Sequence, residues 1–348
     1  MDLTSIEEVK SWKLYQGRSA EKQAERRLHY YTEDERPDIQ HSTQHALMID
    51  AGSQGTRIHV YEFEARVLSS RKQIKHAVTG KKLSFPTTDT RWTNRIKPGL
   101  DSFAFVQDEQ EMRDQIRFYL SPLLKFARDV LSEKQSDWSK YPIYLKATGG
   151  LRALPRTYRR HLVDAVRSLF RDTSFNPFYF QDEHARVISG EEEAIYGWTA
   201  INFAKNALIA NSEGTGSVLS PNLTYGVLEM GGASSQISFF EPGGDVMANL
   251  FKLQIGAAKH WNVYAHSFLY FGVNLAFDRV NARLYTETTL ALQDSNNNTY
   301  SPVGVYNPCL PGRSRYIFTS RIHLLPNGTL LPLSSPNNQD ILEADMYS

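Results

Sequence analysis

The sequence predicts an α/β chain made of two copies of one unit with a cleft between them. Two observations carry this: a glycine-bearing hairpin at Leu47–Phe63, and a second copy of it further along the chain. In the first copy, Leu47-Met48-Ile49 reads as a buried strand that Asp50 ends. Gly52 and Gly55 mark a turn, and Ile58, Val60 and Phe63 begin an alternating strand. The tip holds Ser53, Gln54, Gly55, Thr56 and Arg57, so backbone N–H groups, two hydroxyls and a guanidinium converge where one anionic group, such as a phosphate, fits. Asp50 beside such an anion implies a hard divalent cation between them. One hairpin of this kind is usually only a hairpin. The second copy changes the reading: a shift of 179 residues lays Leu228–Ile237 on Ile49–Ile58 without a gap. Glu229 then meets Asp50, Gly231 meets Gly52, Ser235 meets Thr56 and Ile237 meets Ile58. Two hairpins facing one cleft each grip phosphate from one side.

Composition bounds the function. At 348 residues, with 41% apolar and 12% aromatic residues, the chain suffices for two globular domains. Its 39 basic and 38 acidic residues leave a net charge of +1, so charge points to neither a nucleic acid nor a membrane surface. A single cysteine, Cys309, excludes an internal disulfide and a multi-cysteine metal site. The sequence has no apolar run of about 18 residues and no signal-peptide core, so we expect no transmembrane segment and no unaided secretion. Three glycosylation sequons, at Asn222, Asn297 and Asn327, point the other way and leave the compartment open.

The elements follow in order. Residues 1–40 are charged and read as a solvated arm, residues 41–185 as the first lobe, and residues 186–348 as a second lobe with a loop-rich end. Ser69–Thr93 is basic and reads as a surface excursion, and Ile96–Leu100 as a turn. Met112, Ile116, Leu120, Leu124 and Leu131 keep helical spacing across Pro122, which predicts a kink there or a fresh start at Ser121. Tyr141–Ala147 reads as a strand delivering Thr148, Gly149, Gly150 and Arg152 before a helix that starts after Pro155. A strand end feeding a glycine turn is either a ligand site or a plain connection. Strand Arg186–Ser189 leads into a helix opened by Glu191, Glu192 and Glu193. Three acids there suit the helix dipole. Glu193 also has Gly197 and Ala200 on its face, a narrow border fit for a cleft, and the helix start keeps its carboxylate ionised, as a general base requires. A long amphipathic helix is expected over Gly256–Leu284, with His260 and His266 as structural residues, and irregular chain beyond Thr286.

Taken together, IDAGSQGTR (49–57), KATGGLRALP (146–155), VISGEEEAIYGW (187–198) and LEMGGASSQISF (228–239), supported by YAHSFLYFG (264–272) and NPCLPG (307–312), resemble the apyrase family, the ecto- and Golgi-type nucleoside triphosphate diphosphohydrolases. The resemblance implies duplicated actin-like, ribonuclease-H-type domains around an interlobe cleft. It implies direct attack of water on the terminal phosphate of nucleoside tri- or diphosphates, dependent on Mg²⁺ or Ca²⁺, and an extracellular or secretory-lumen location. By position, Glu193 would be the general base, and Ser234 and Gln236 would hold the water. Ser53, Gln54, Gly55, Thr56 and Arg57 would bind phosphate from one lobe, and Gly231, Gly232, Ala233, Ser234, Ser235 and Gln236 from the other. Asp50, Glu229 and Thr148 would hold the metal through water, with Arg152 in support. The chain departs from the family pattern at Gln54, at Gly149-Gly150 and at Glu229, where the family carries Asp, and it reads as C-terminally truncated. The competing expectations are an exopolyphosphatase of the same fold and a non-catalytic nucleotide-binding relative.

Overall fold

The computed structural model describes residues 43–64, 87–205, 207–208, 223–243, 248–255, 259–294, 304–311, 315–320, 322–324, 330–332 and 342–347. Strands β1 (Thr43–Gly52) and β2 (Gly55–Glu64) form the first hairpin. Its turn is only Ser53-Gln54, and Asp50 lies inside β1 opposite Arg57, two pairs before the closing Gly52–Gly55 pair. The strands thus run further toward the tip than the apolar pattern shows, because cross-strand hydrogen bonding continues after apolar residues stop. Gly55 has φ 150°, and a Cβ there would lie 2.5 Å from the Ile96 carbonyl oxygen, so the tip requires glycine. β3 (Thr93–Ile96) adds antiparallel to β2, while β4 (Ile143–Ala147) and β5 (Ala185–Val187) add in parallel on the other side. The order β3-β2-β1-β4-β5 is that of the expected ribonuclease-H-type sheet.

One face of this sheet is the core. Leu47, Ile49, Ala51, Ile58, Val60, Ile143 and Leu145 are fully buried, in one cluster with the apolar stripes of helices α1 (Glu109–Val130) and α2 (Arg156–Arg171). α1 continues through Pro122 as one helix, neither ending nor restarting at Ser121. The carbonyl that Pro122 leaves without its helical donor is that of Phe118, a residue 84% exposed, where water can replace the bond.

Helix α3 (Gly190–Ala204) starts at a capping box made by Ser189 and Glu192, and packs on a second sheet. That sheet has the order β6-β7-β9-β8, from β6 (Val227–Met230), β7 (Ser234–Phe240), β8 (Leu250–Ile255) and β9 (Lys259–Leu269), all antiparallel. The expected helix over Gly256–Leu284 is therefore corrected: His260 and His266 lie on β9, and the helix, α4, spans Val273–Asp294. Trp261, Val263 and Ala265 are buried in alternation, so period two governs this stretch and Gly272 separates it from the helix. The end of the chain is also more regular than expected. β10 (Gly304–Tyr306), β11 (Arg315–Ser320) and β14 (Leu342–Tyr347) form a small sheet, and β12 (Ile322–Leu324) pairs with β13 (Leu330–Pro332). Residues 1–40, most of the basic excursion and the sequon asparagines lie outside the described residues. No described helix is long and apolar enough to cross a membrane, and Cys309 is a free, exposed thiol.

Candidate active site

The two hairpin tips face each other. A Cβ on Gly232 would lie 2.9 Å from Gln54 Cγ and would also collide with the Ser53 hydroxyl, and Gln54 Nε2 donates to Asn274 Oδ1 at 3.4 Å. Between them comes the single-turn helix Gly149–Arg152 that follows β4. A Cβ on Gly149 would lie 2.7 Å from Ser234 Oγ, and one on Gly150 2.9 Å from Ser53 Cα. The Gly149-Gly150 pair is thus a close crossing between hairpins, where added side chains would collide. Thr148 sits alongside: its N–H donates to the Ala51 carbonyl, and its hydroxyl lies 3.9 Å from where a Gly52 Cβ would be.

Four side chains form the centre. Glu193 Oε2 accepts from Arg152 Nη2 at 2.6 Å and from Gln236 Nε2 at 3.1 Å. Ser234 Oγ accepts from the same two donors, at 3.0 and 2.8 Å. Arg152 was expected only to support a loop, and it instead holds both the carboxylate and the serine. All four are largely shielded from solvent, with Ser234 and Gln236 buried, so the charge-assisted bonds are little screened. Gln236 Oε1 is buried and accepts no hydrogen bond from the described residues. An acceptor left so beside an acid suits a water molecule.

Two further carboxylates border this centre. Asp50 is pushed above the usual aspartate range first by burial in the cleft and then by the charge of Glu193, with Arg57 and Arg95 opposing. Glu229 is pushed up by burial, then by Glu193 and Asp50, with Arg152 opposing. Both remain open to solvent on one side. A Cβ on Gly197 would sit 3.2 Å from Glu229 Oε2, so the glycine on the face of Glu193 leaves room for the longer acid. Among the described residues no three His, Cys, Asp or Glu side chains stand close enough to ligate an ion directly. The donor set is all oxygen and its charges repel one another, which fits a hard cation held through water and phosphate oxygens.

Two residues expected to bind phosphate have their hydroxyls engaged elsewhere. Thr56 is fully buried and its hydroxyl accepts from Tyr119 OH at 2.9 Å, because alternation turns it to the core face, away from Asp50 and Arg57. Ser235 likewise points away from Ser234 and Gln236, and its hydroxyl donates to the Phe271 carbonyl at 2.6 Å. The second tip is shaped by backbone: the Gly231, Gly232 and Ala233 carbonyls accept from Val273, Asn274 and Tyr270. Sequence reasoning missed Asn274 and also Arg95, whose Nη2 donates to the Gln54 carbonyl at 3.2 Å. The only sequence signal for Arg95 was the polar alternation of Thr93–Ile96, between what read as a surface excursion ending at Thr93 and a turn starting at Ile96.

Comparison with known proteins gives the family and the fold. The GDA1/CD39 (nucleoside phosphatase) family description matches residues 38–320. The Golgi apyrase of Saccharomyces cerevisiae is 30% identical over 277 residues, covering 76% of this chain and 42% of the relative. The human nucleoside diphosphate phosphatase ENTPD5 is 29% identical over 278 residues, covering 79% and 54%. A crystal structure of nucleoside triphosphate hydrolases from Neospora caninum superposes with a TM-score of 0.50 at 21% identity, covering 92% of this chain and 58% of that one, a likeness of fold. The chain spans about half the length of the curated relatives it matches.

Proposed function

The chain belongs to the GDA1/CD39 nucleoside phosphatase family, and from that premise we propose that it releases the terminal phosphate of nucleoside tri- and diphosphates by direct attack of water, with Mg²⁺ or Ca²⁺ bound. The observation that carries this reading is the Glu193–Arg152–Ser234–Gln236 centre between two glycine-tipped hairpins. The substrate's phosphates lie between the tips, with Ser53, Gly55 and Arg57 on one side and Gly232 and Ala233 on the other. Asp50 and Glu229, with Thr148 beside them, hold the water shell of the cation, which when bound neutralises phosphate charge.

Ser234 and Gln236 position the attacking water, which donates to the free Gln236 Oε1. As its oxygen bonds to phosphorus, the bond to the bridging oxygen breaks, the proton passes to Glu193, and the shortened nucleotide leaves with its own charge. The Arg152 pair holds the Glu193 carboxylate in place, and positioning and charge neutralisation carry most of the acceleration in phosphoryl transfer.

The test is phosphate release from ATP, ADP, GDP and UDP with Mg²⁺ or Ca²⁺, with EDTA as control. Release that EDTA abolishes is expected. A folded chain that releases nothing would leave a binding-only relative, and release from inorganic polyphosphate but not nucleotides would favour the exopolyphosphatase alternative.

A further inference from the structure

One row of side chains crosses the first sheet on the face opposite its core. Strand register sets Arg186, Lys146, Asp50, Arg57 and Arg95 directly beside one another, one from each of β5, β4, β1, β2 and β3. The row has four cations and one anion, and its two ends differ. Arg186 is paired with Glu192 through two bonds, and Lys146 donates to the His184 and Glu183 carbonyls. Arg57 and Arg95 have no carboxylate within ion-pair distance among the described residues, and both are exposed. Like charges directly opposite on neighbouring strands destabilise a sheet unless an anion lies between them. Arg95 is held in place by the Gln54 carbonyl and lies against the hairpin tip, with Nε 3.2 Å from where a Gly55 Cβ would be. This uses one of its five donors and leaves the rest of the fork beside Arg57.

We propose that Arg95 is a specificity-determining residue that, with Arg57, clamps the phosphates behind the one being cleaved, so that the protein prefers a chain of three phosphates to a chain of two. This rests on the hydrolase reading above for the direction of the substrate: the terminal phosphate lies by Asp50 and Glu193, the next by Arg57, and the third by Arg95. Strands are about 4.8 Å apart, and flexible arginine side chains readily close on successive phosphates from adjacent strands.

The experiment is calorimetric titration of the protein with inorganic tripolyphosphate and with pyrophosphate, with saturating Ca²⁺ at low salt and on a Glu193→Ala background that suppresses turnover, for the otherwise native chain, Arg95→Gln and Arg95→Lys, each checked for an unchanged melting curve. The native chain is expected to bind tripolyphosphate about tenfold tighter than pyrophosphate. Arg95→Gln should remove that ratio while leaving the pyrophosphate constant within about twofold, and Arg95→Lys should restore part of it. A native chain without discrimination, a ratio that survives Arg95→Gln, or equal weakening of both ligands would overturn the clamp, the last because Arg95 would then only hold the hairpin. Binding on the Glu193→Ala background is read separately from turnover by the chain that keeps Glu193, so discrimination without any phosphate release by the latter would sink the hydrolase reading and keep the clamp.

Discussion

At the scale of residues, neighbours in sequence take different roles because strand alternation separates them. Ser234 and Gln236 face Glu193 while Ser235 between them faces the Phe271 carbonyl, and Arg57 faces the cleft while Thr56 before it bonds Tyr119 in the core. A paired test follows. Gln236→Ala removes a hold on Glu193 and on the attacking water, and should lower kcat by about 10²-fold or more with KM little changed, as expected for preorganised polar groups at a reacting centre. Thr56→Val should cost about 1 kcal/mol of stability, the worth of one buried hydrogen bond, and leave KM unchanged. A large KM effect from Thr56→Val, in steady-state phosphate release, would return its hydroxyl to the phosphate site.

At the scale of elements, the two hairpins align residue for residue and sit in different surroundings. β1 is central, with β2 and β4 on its sides, whereas β6 is the outer strand of its sheet. Ile49 and Ala51 are fully buried, while their counterparts Leu228 and Met230 are 82% and 67% exposed. Ile49→Ala should therefore destabilise by about 2–5 kcal/mol, and Leu228→Lys by no more than about 0.5 kcal/mol, in denaturant melts. A large loss from Leu228→Lys would mean that β6 is covered in solution. The same contrast explains what the sequence made legible. Both hairpins, β4, α2 and α3 could be read because apolar period, glycine turns and caps agreed there. β9 could not, since its aromatic residues also fit a helical face and only burial of Trp261, Val263 and Ala265 decides between the two periods. Arg95 was unreadable for another reason: its importance lies in which strand it pairs with, and register is a property of the assembled sheet.

At the scale of the whole molecule, the fold brings three carboxylates from β1, α3 and β6 into one cleft, a cost that a bound cation would relieve. Asp50 and Glu229 have folded-state values above their ordinary ones, so the native chain binds their protons more tightly than the unfolded chain does. Their contribution to stability thus falls as pH rises from the ordinary carboxylate range through the raised values. Added Ca²⁺ or Mg²⁺ should raise the melting temperature at about pH 7.5 and lose that effect near about pH 4, where protonated acids attract no cation. An equal gain at both pH values would place the ion elsewhere. The legible part of the site, its four motifs, was scattered over the 191 residues of sequence from Ile49 to Phe239, and only the fold shows that Arg152 joins Glu193 to Ser234.

The central claim is that Glu193 serves water attack at this centre. Phosphate release from ATP by the native chain and by Glu193→Ala, side by side with saturating Mg²⁺ or Ca²⁺, tests it most directly. The account predicts release by the native chain and a loss of about 10³-fold or more in the variant, with nucleotide binding retained. Release that survives Glu193→Ala would contradict it, and would place the proton acceptor on another group in the cleft.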